Sequence, residues 1–270
     1  MKLPQLAALP LCLILAACGG GQAKYGPVEP AMAAFISPDA VAVAGVRLDS
    51  IRETPLYRKL AGENRLPRFA STLDPKRDLH EILLASDGKN VLAIARGVIP
   101  AKPAGDLNAA EYKGFTLYGS SSSVQAAIDR SKSGGAGAPR DLMERARVLP
   151  ADAQIWAVVS GWRGLAPDQL REMGNLSNLD RVLRLVEGAN LTVDLRTGVH
   201  AAFTSDSRTD ADAKTLADSL RGLAGLARMA ATRNQPDLQR AFDGLQVKQD
   251  GRRVNVNVDL AEDLAEKLVR

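Results

Sequence analysis

Apolar residues fall along this chain in short, dense runs bounded by turn-forming residues, not in one long stripe. Pro38-Asp39-Ala40 leads into Val41-Ala42-Val43-Ala44-Gly45-Val46. Pro150-Ala151-Asp152-Ala153 leads into Gln154-Ile155-Trp156-Ala157-Val158-Val159. Each run predicts a buried strand, followed by a turn and a helix. Arg58, within Pro55–Leu60, and Arg171, within Gln169–Met173, keep the same offset as Asp39 and Asp152, so the two segments form an internal repeat.

A hairpin is expected next in each half. In the first, Glu81–Ser86 and Asn90–Arg96 flank the turn signal Asp87-Gly88, and both faces are apolar, so this hairpin belongs inside the sheet. In the second, Leu191–Leu195 and Val199–Thr204 flank Arg196-Thr197-Gly198. A three-residue loop with a positive φ at Gly198 sets Leu195 against Val199, Val193 against Ala201 and Leu191 against Phe203. That register gathers the apolar side chains on one face and makes Asp194 and His200 neighbours on the other. A two-residue loop would pair apolar with polar residues and is rejected.

The halves then diverge. Residues 101–111 read as a loop, followed by a strand at Phe115–Tyr118, the run Ser120–Ser123 and a helix with Ser122 and Gln125 as a capping box. The second half carries a long helix over Asp210–Thr232, with Thr209 as its cap. A last hairpin, Leu245–Gln249 and Arg252–Asp259, turns at Asp250-Gly251, and Ala261–Val269 closes as an amphipathic helix. The fold class expected is α+β: two related halves, 35–147 and 148–270, of mainly antiparallel sheet with helices packed on one face.

Alternation in the second-half hairpins leaves Thr192, Asp194, His200, Lys248, Arg253, Asn255 and Asn257 on faces pointing away from the apolar set. A helix layer there would leave polar groups unsatisfied at about 1–3 kcal/mol each. If both hairpins belong to one sheet, the expected face is open to water; it is the candidate contact surface, and the alternative is a merely solvated sheet face, since antiparallel sheets commonly expose one side.

The first residues follow a different pattern. Lys2 precedes an apolar run from Leu3 to Ala17 broken by Pro4, Gln5 and Pro10, which is too short to span a bilayer needing about 20 apolar residues. It ends in Leu15-Ala16-Ala17-Cys18, followed by Gly19-Gly20-Gly21. This segment resembles the lipobox of bacterial lipoprotein precursors. The resemblance implies a signal peptide at 1–17, cleavage after Ala17, a lipid on the Cys18 sulfur and a tether over 18–34. With Gly19 and not Asp after the cysteine, it also implies the outer membrane, facing the periplasm, over the inner membrane. The competing account is an ordinary secretory signal with a chance cysteine. The Pro-Asp-Ala repeat and Gly119–Asp129 are similar to segments of uncharacterised secreted or membrane-tethered bacterial proteins, a likeness that brings no activity with it.

Composition narrows the chemistry. The two cysteines are Cys12, in the leader, and Cys18, so the expected mature domain forms no disulfide. His80 and His200 are the whole histidine supply, which puts a Cys/His zinc site out of reach. A net charge of +4 is spread among acids, and export further disfavours nucleic acid as partner. No cofactor or metal is called for: Asp206, Asp210 and Asp212 lack calcium-loop spacing. Ser120–Ser123 could offer backbone N–H groups to an anion, but no basic residue adjoins the run in sequence. Trp156 reads as core, Trp162-Arg163 as a candidate exposed aromatic, and His80 as a solvated loop residue.

Two functions remain. The first is a non-catalytic envelope lipoprotein that binds or scaffolds an envelope protein partner. The rival is an envelope hydrolase using a serine with His200 and Asp194, for which neither a nucleophile in place nor an oxyanion hole is visible.

Overall fold

The computed structural model describes residues 26–63, 65, 79–97, 107–134, 137–161, 184–231 and 235–268. Cys18, Trp162-Arg163 and the helix expected around Gln169–Met173 lie outside the described residues.

Ten strands form one antiparallel sheet. The first five are β1 (Ala42–Arg47), β2 (Leu79–Ser86), β3 (Val91–Gly97), β4 (Leu107–Tyr112) and β5 (Phe115–Ser120). The second five are β6 (Ile155–Ser160), β7 (Val186–Asp194), β8 (Val199–Ser207), β9 (Leu245–Asp250) and β10 (Arg253–Leu260). Their order is β4-β5-β3-β2-β1-β6-β7-β8-β10-β9. Read outward from the central β1/β6 pair, each half places its strands first, second, third, fifth, fourth. The repeat seen in sequence is thus a repeat of strand topology. The Leu191↔Phe203, Val193↔Ala201 and Asp194↔His200 pairs follow the register expected from the loop, and Gly198 has φ 129°.

The helices are α1 (Pro30–Ala33), α2 (Leu48–Arg52), α3 (Pro55–Gly62), α4 (Ser121–Ser133), α5 (Arg140–Arg147), α6 (Asp210–Ala230), α7 (Pro236–Asp243) and α8 (Glu262–Leu268). The α+β class follows from these elements. Helices α1, α4 and α5 bury Met32, Val124, Ala127, Leu142, Met143 and Ala146 against Val43, Leu83, Leu92, Ile94, Leu117, Trp156 and Val158. Following the ladders, those strand residues share one face of the sheet. Helix α6 buries Ala213, Leu216 and Ala217 against Ala189 and Val254, with Phe203, Val247 and Val256 beside them. Helices α3 and α8 pack on Val199 and Leu260. All of these strand residues lie on the opposite face. Helices α1, α4 and α5 thus cover one side of the sheet over β1–β3, β5 and β6, whereas α6 and α8, joined by α3 from the first half, cover the other side over β7–β10.

Three elements depart from the sequence reading: within the tether expected over 18–34, α1 forms and Val28 and Met32 are buried in the core, because their apolar side chains reach the sheet face that α4 and α5 cover. Residues 107–112 are not loop but an edge strand, turning at Lys113 (φ 51°) and Gly114 (φ 81°) into β5. Edge strands need only one partner and carry no buried stripe, so their alternation is faint. The cap of α4 is Ser120, whose hydroxyl accepts from the Ser123 N–H, two residues before the expected Ser122. A buried Gln154, 1% exposed, ties the halves together: its Oε1 accepts from Leu195 N at 2.6 Å and its Nε2 donates to Ser50 O at 2.8 Å.

Candidate functional site

The ladders carry the polar residues of the second half onto a single surface. Thr192 stands opposite Ala202 and, one strand on, Asn257. Asn190 leads to Thr204, Asn255 and Lys248, and Gly188 leads to Asp206 and Arg253. Asp194, His200 and Asp259 form the row nearest the 195–198 turn. Thr192, Asp194, His200, Lys248, Arg253, Asn255 and Asn257 therefore share one face, and none of them is buried. On β7 to β10 no residue of this face belongs to a core cluster among the described residues; on β6 the same face carries Trp156 and Val158, buried under the first-half helices. The topologically matching rows of the first half hold Leu83, Ile94 and Leu117 in place of Asn190, Thr204 and Asn255, all three buried under helices.

Polar side chains on the face are mutually engaged. Thr204 donates to Asn255 Oδ1 at 3.0 Å. Arg145, arriving from α5, donates to Asp206 Oδ2 at 2.8 Å, and Arg253 reaches Asp206 Oδ1 at 3.2 Å. Burial works to raise the Asp206 carboxyl, but the two guanidiniums outweigh it and hold it below the usual carboxylate range. A Cβ at Gly188 would overlap the Arg145 guanidinium, so the glycine is what lets this arginine lie flat on the sheet and reach Asp206. Sequence reading does not place Asn190, Thr204 or Asp259 on this face, and it weighs Asp206 only as a calcium-loop candidate. The period-two pattern that marked Thr192 and Asp194 extends to Asn190, and continuing it along β8 would have found Thr204 and Asp206.

His200 is bound differently from the sequence expectation. Asp194 is its cross-strand neighbour, but the Asp194 carboxylate turns back to its own loop, accepting from Arg196 N at 2.8 Å and pairing with Arg196 Nη1 at 2.6 Å. His200 Nδ1 instead meets Asp259 Oδ1 at 2.9 Å, on its other neighbouring strand, and Nε2 meets Thr197 Oγ1 at 3.1 Å. The hydrogen bond to Asp259 raises the imidazole pKa above its ordinary value. A hydroxyl, an imidazole and a carboxylate thus stand in line, as in a proton relay, but His200 and Asp259 are 43% and 59% exposed, where water competes for each partner. The serine run lies at the far end of β5, six strand spacings from β8, or about 29 Å at ~4.8 Å per strand. Ser120–Ser123 and His200 do not form one site.

The serine run has its own setting. Ser122 and Ser123 line a cleft of about 200 Å³ with Ser37, Asp87, Asn90 and Arg130. The basic residue missing beside the run in sequence arrives two helical turns along α4. Its Nη2 is occupied by Phe35 O at 2.8 Å, and the Asp87 carboxylate on the same wall opposes an anion. His80, expected in a loop, lies in β2 with Nδ1 at 2.9 Å from Asp49.

No protein-family model matches this chain, and no curated protein matches it. Among solved structures it is similar to TP0453 in crystal form I, with 9% sequence identity and a TM-score of 0.43 over 90% of this chain and 96% of that one.

Proposed function

We propose that this chain is a lipid-anchored, non-catalytic envelope protein whose second-half polar sheet face binds a protein partner. The observation that carries the reading is the asymmetry of the duplicated sheet. The same topological rows are apolar and helix-covered in the first half, polar and open in the second. A ten-stranded sheet gains core by covering both halves alike; this chain instead leaves the polar rows of four strands, β7 to β10, without a helix over them. The mixture of Asp194, His200, Lys248 and Arg253 suits a polar protein surface better than a nucleic acid.

A photo-crosslinking residue at Asn257 or Thr192, in cells, tests the face. The expected result is a discrete adduct that disappears when Asp194→Lys and Arg253→Glu are combined in a protein that still folds. Adducts unchanged by the double substitution, or none from either position, would sink the contact surface. The anchor has its own test: Cys18→Ala should abolish lipid labelling and leave uncleaved precursor, and a variant that matures normally and stays membrane-bound overturns it.

The hydrolase reading has less support, because the serine run and His200 sit on distant strands and Asp194 is not the histidine's partner.

A further inference from the structure

Helix α6 is apolar over a wider arc than it buries. Ala213, Leu216 and Ala217, with Leu220, form the stripe that meets the sheet. At about 100° per residue the stripe continues through Ala224 and Ala227. Arg221 lies to one side of it, its guanidinium on Val247 O of the edge strand β9 at 3.1 Å. Leu223, Leu226 and Met229 run from the other flank round to the back of the helix, about 60° further at each step, and are 50%, 60% and 76% exposed. Three large apolar side chains within seven residues of one helix, all in water, have no role in the core.

Their position along the sheet is fixed by the contacts of α6. The helix begins where Gln249 Nε2 reaches Asp210 O, beside the β9–β10 turn. It passes Val247 at Arg221 and runs toward the end of the sheet where β9 starts and β10 finishes. Antiparallel pairing across the sheet puts the C-terminal end of β1 at that same end. There Arg47 donates to Pro27 O at 3.0 Å, next to Gly26, the first described residue. Eight peptide steps separate Gly26 from Cys18, and at ~3.6 Å each they span at most about 29 Å whatever their conformation. A lipid on Cys18 therefore lies within about 29 Å of Gly26 at this end of the sheet, where Gly26 itself sits against α5, on the face opposite α6.

We propose that the Leu223–Leu226–Met229 flank of α6 rests in the headgroup–acyl boundary of the membrane that holds Cys18, as a second, reversible contact beside the lipid. This rests on the lipid-anchor reading. A short apolar helix flank binds membranes weakly by itself, and an anchor that confines it near the surface supplies the missing local concentration. The contact is apolar: Arg221 is paired with Asp218 at 2.9 Å and Arg228 with Asp243 at 2.6 Å, so neither guanidinium is free for anionic headgroups.

The test uses the processed full chain reconstituted in phosphatidylethanolamine/phosphatidylglycerol vesicles. With Cys18 lipidated, Leu226→Cys supplies the sole free thiol for an environment-sensitive fluorophore, and Lys248→Cys on the polar sheet face is the control. Severalfold stronger quenching by doxyl-labelled lipid at 226 than at 248, unchanged by high salt, is the expected result. A 226 probe that reports water while the protein floats with the vesicles overturns the proposal and leaves the anchor standing. Lipid-independent protection at 226 that grows with protein concentration also overturns it, in favour of a second copy covering the flank. Lipid labelling of Cys18 is measured separately. Its absence leaves Cys18 as a second thiol, so quenching is then read above that of protein without Leu226→Cys: quenching above that background refutes the anchor and keeps this contact, and none refutes both.

Discussion

Gly45 stands directly opposite Trp156 in the central β1/β6 pair, and the indole fills the space a side chain on Gly45 would need. Trp156 is fully buried, at 0% exposure, so the ring has nowhere to retreat. Gly45→Ala should therefore destabilise the fold by about 1–3 kcal/mol through overpacking, despite the gain in strand propensity. Equilibrium denaturation checks this; an unchanged midpoint would mean that the seam tolerates the methyl. The indole N–H has no hydrogen-bond partner among the described residues. Trp156→Phe should accordingly cost less than the lost volume alone, because an unsatisfied donor goes with it.

Arg145 and Asp206 offer a test of how the first half's helix layer is tied to the polar face. Gly188→Ala should push the guanidinium aside at little cost to the fold, because only the far end of a flexible side chain must move. It should also make a following Arg145→Met nearly silent, a non-additivity read from a double-mutant cycle. Asp206 is held low, so its contribution is present above the unfolded carboxylate pKa and is lost as pH falls through the lower folded value. In Arg145→Met that acid transition should move up toward the ordinary range, followed by carboxyl carbon chemical shifts.

His200 gives the opposite sign. Its folded pKa is raised by Asp259, so its contribution is complete below the ordinary imidazole value and fades as pH rises through the raised one. Asp259→Asn should bring the midpoint back down, and Asp194→Asn should move it less, because Asp194 acts only through space. Imidazole resonances in a pH titration decide between them. An equal response to the two substitutions would contradict the assigned partner.

Much of this arrangement is legible in the sequence. The Pro-Asp-Ala runs marked β1 and β6, the three-residue loop fixed the β7/β8 register, and alternation placed Thr192, Asp194, His200 and Asn257 on one face. What stayed hidden depended on partners distant in sequence. Alternation states that a strand has two faces but not which one a helix will cover, so the opposite coverage of the halves was invisible. The choice of Asp259 over Asp194 by His200 required knowing that β8 lies between β7 and β10. Arg145 over Gly188 joins a helix to a strand more than forty residues away, and alternation along β7 places Gly188 on the polar face without saying which side chain crosses it.

The opposite coverage can be tested with neighbouring residues. Leu83 and Leu84 are adjacent on β2, yet Leu83 is 0% exposed under the first-half helices and Leu84 is 41% exposed on the other side. Across the hairpin Leu92 is 6% exposed and Val91 54%. If helices cover only one face here, Leu83→Ala should cost about 2–5 kcal/mol through lost burial and a residual cavity. Leu84→Ala, with side-chain surface already in water, should cost well under about 1 kcal/mol. Leu92→Ala and Val91→Ala should repeat the contrast, which excludes a local peculiarity of one strand. The same logic reverses in the second half, where the inward residues are of the other parity: Val254→Ala should be costly and Asn255→Ala mild. Denaturation midpoints for these six variants form a parity test. Equal losses for Leu83→Ala and Leu84→Ala would require a second layer over the first-half sheet, and the asymmetry on which the contact surface rests would disappear with it.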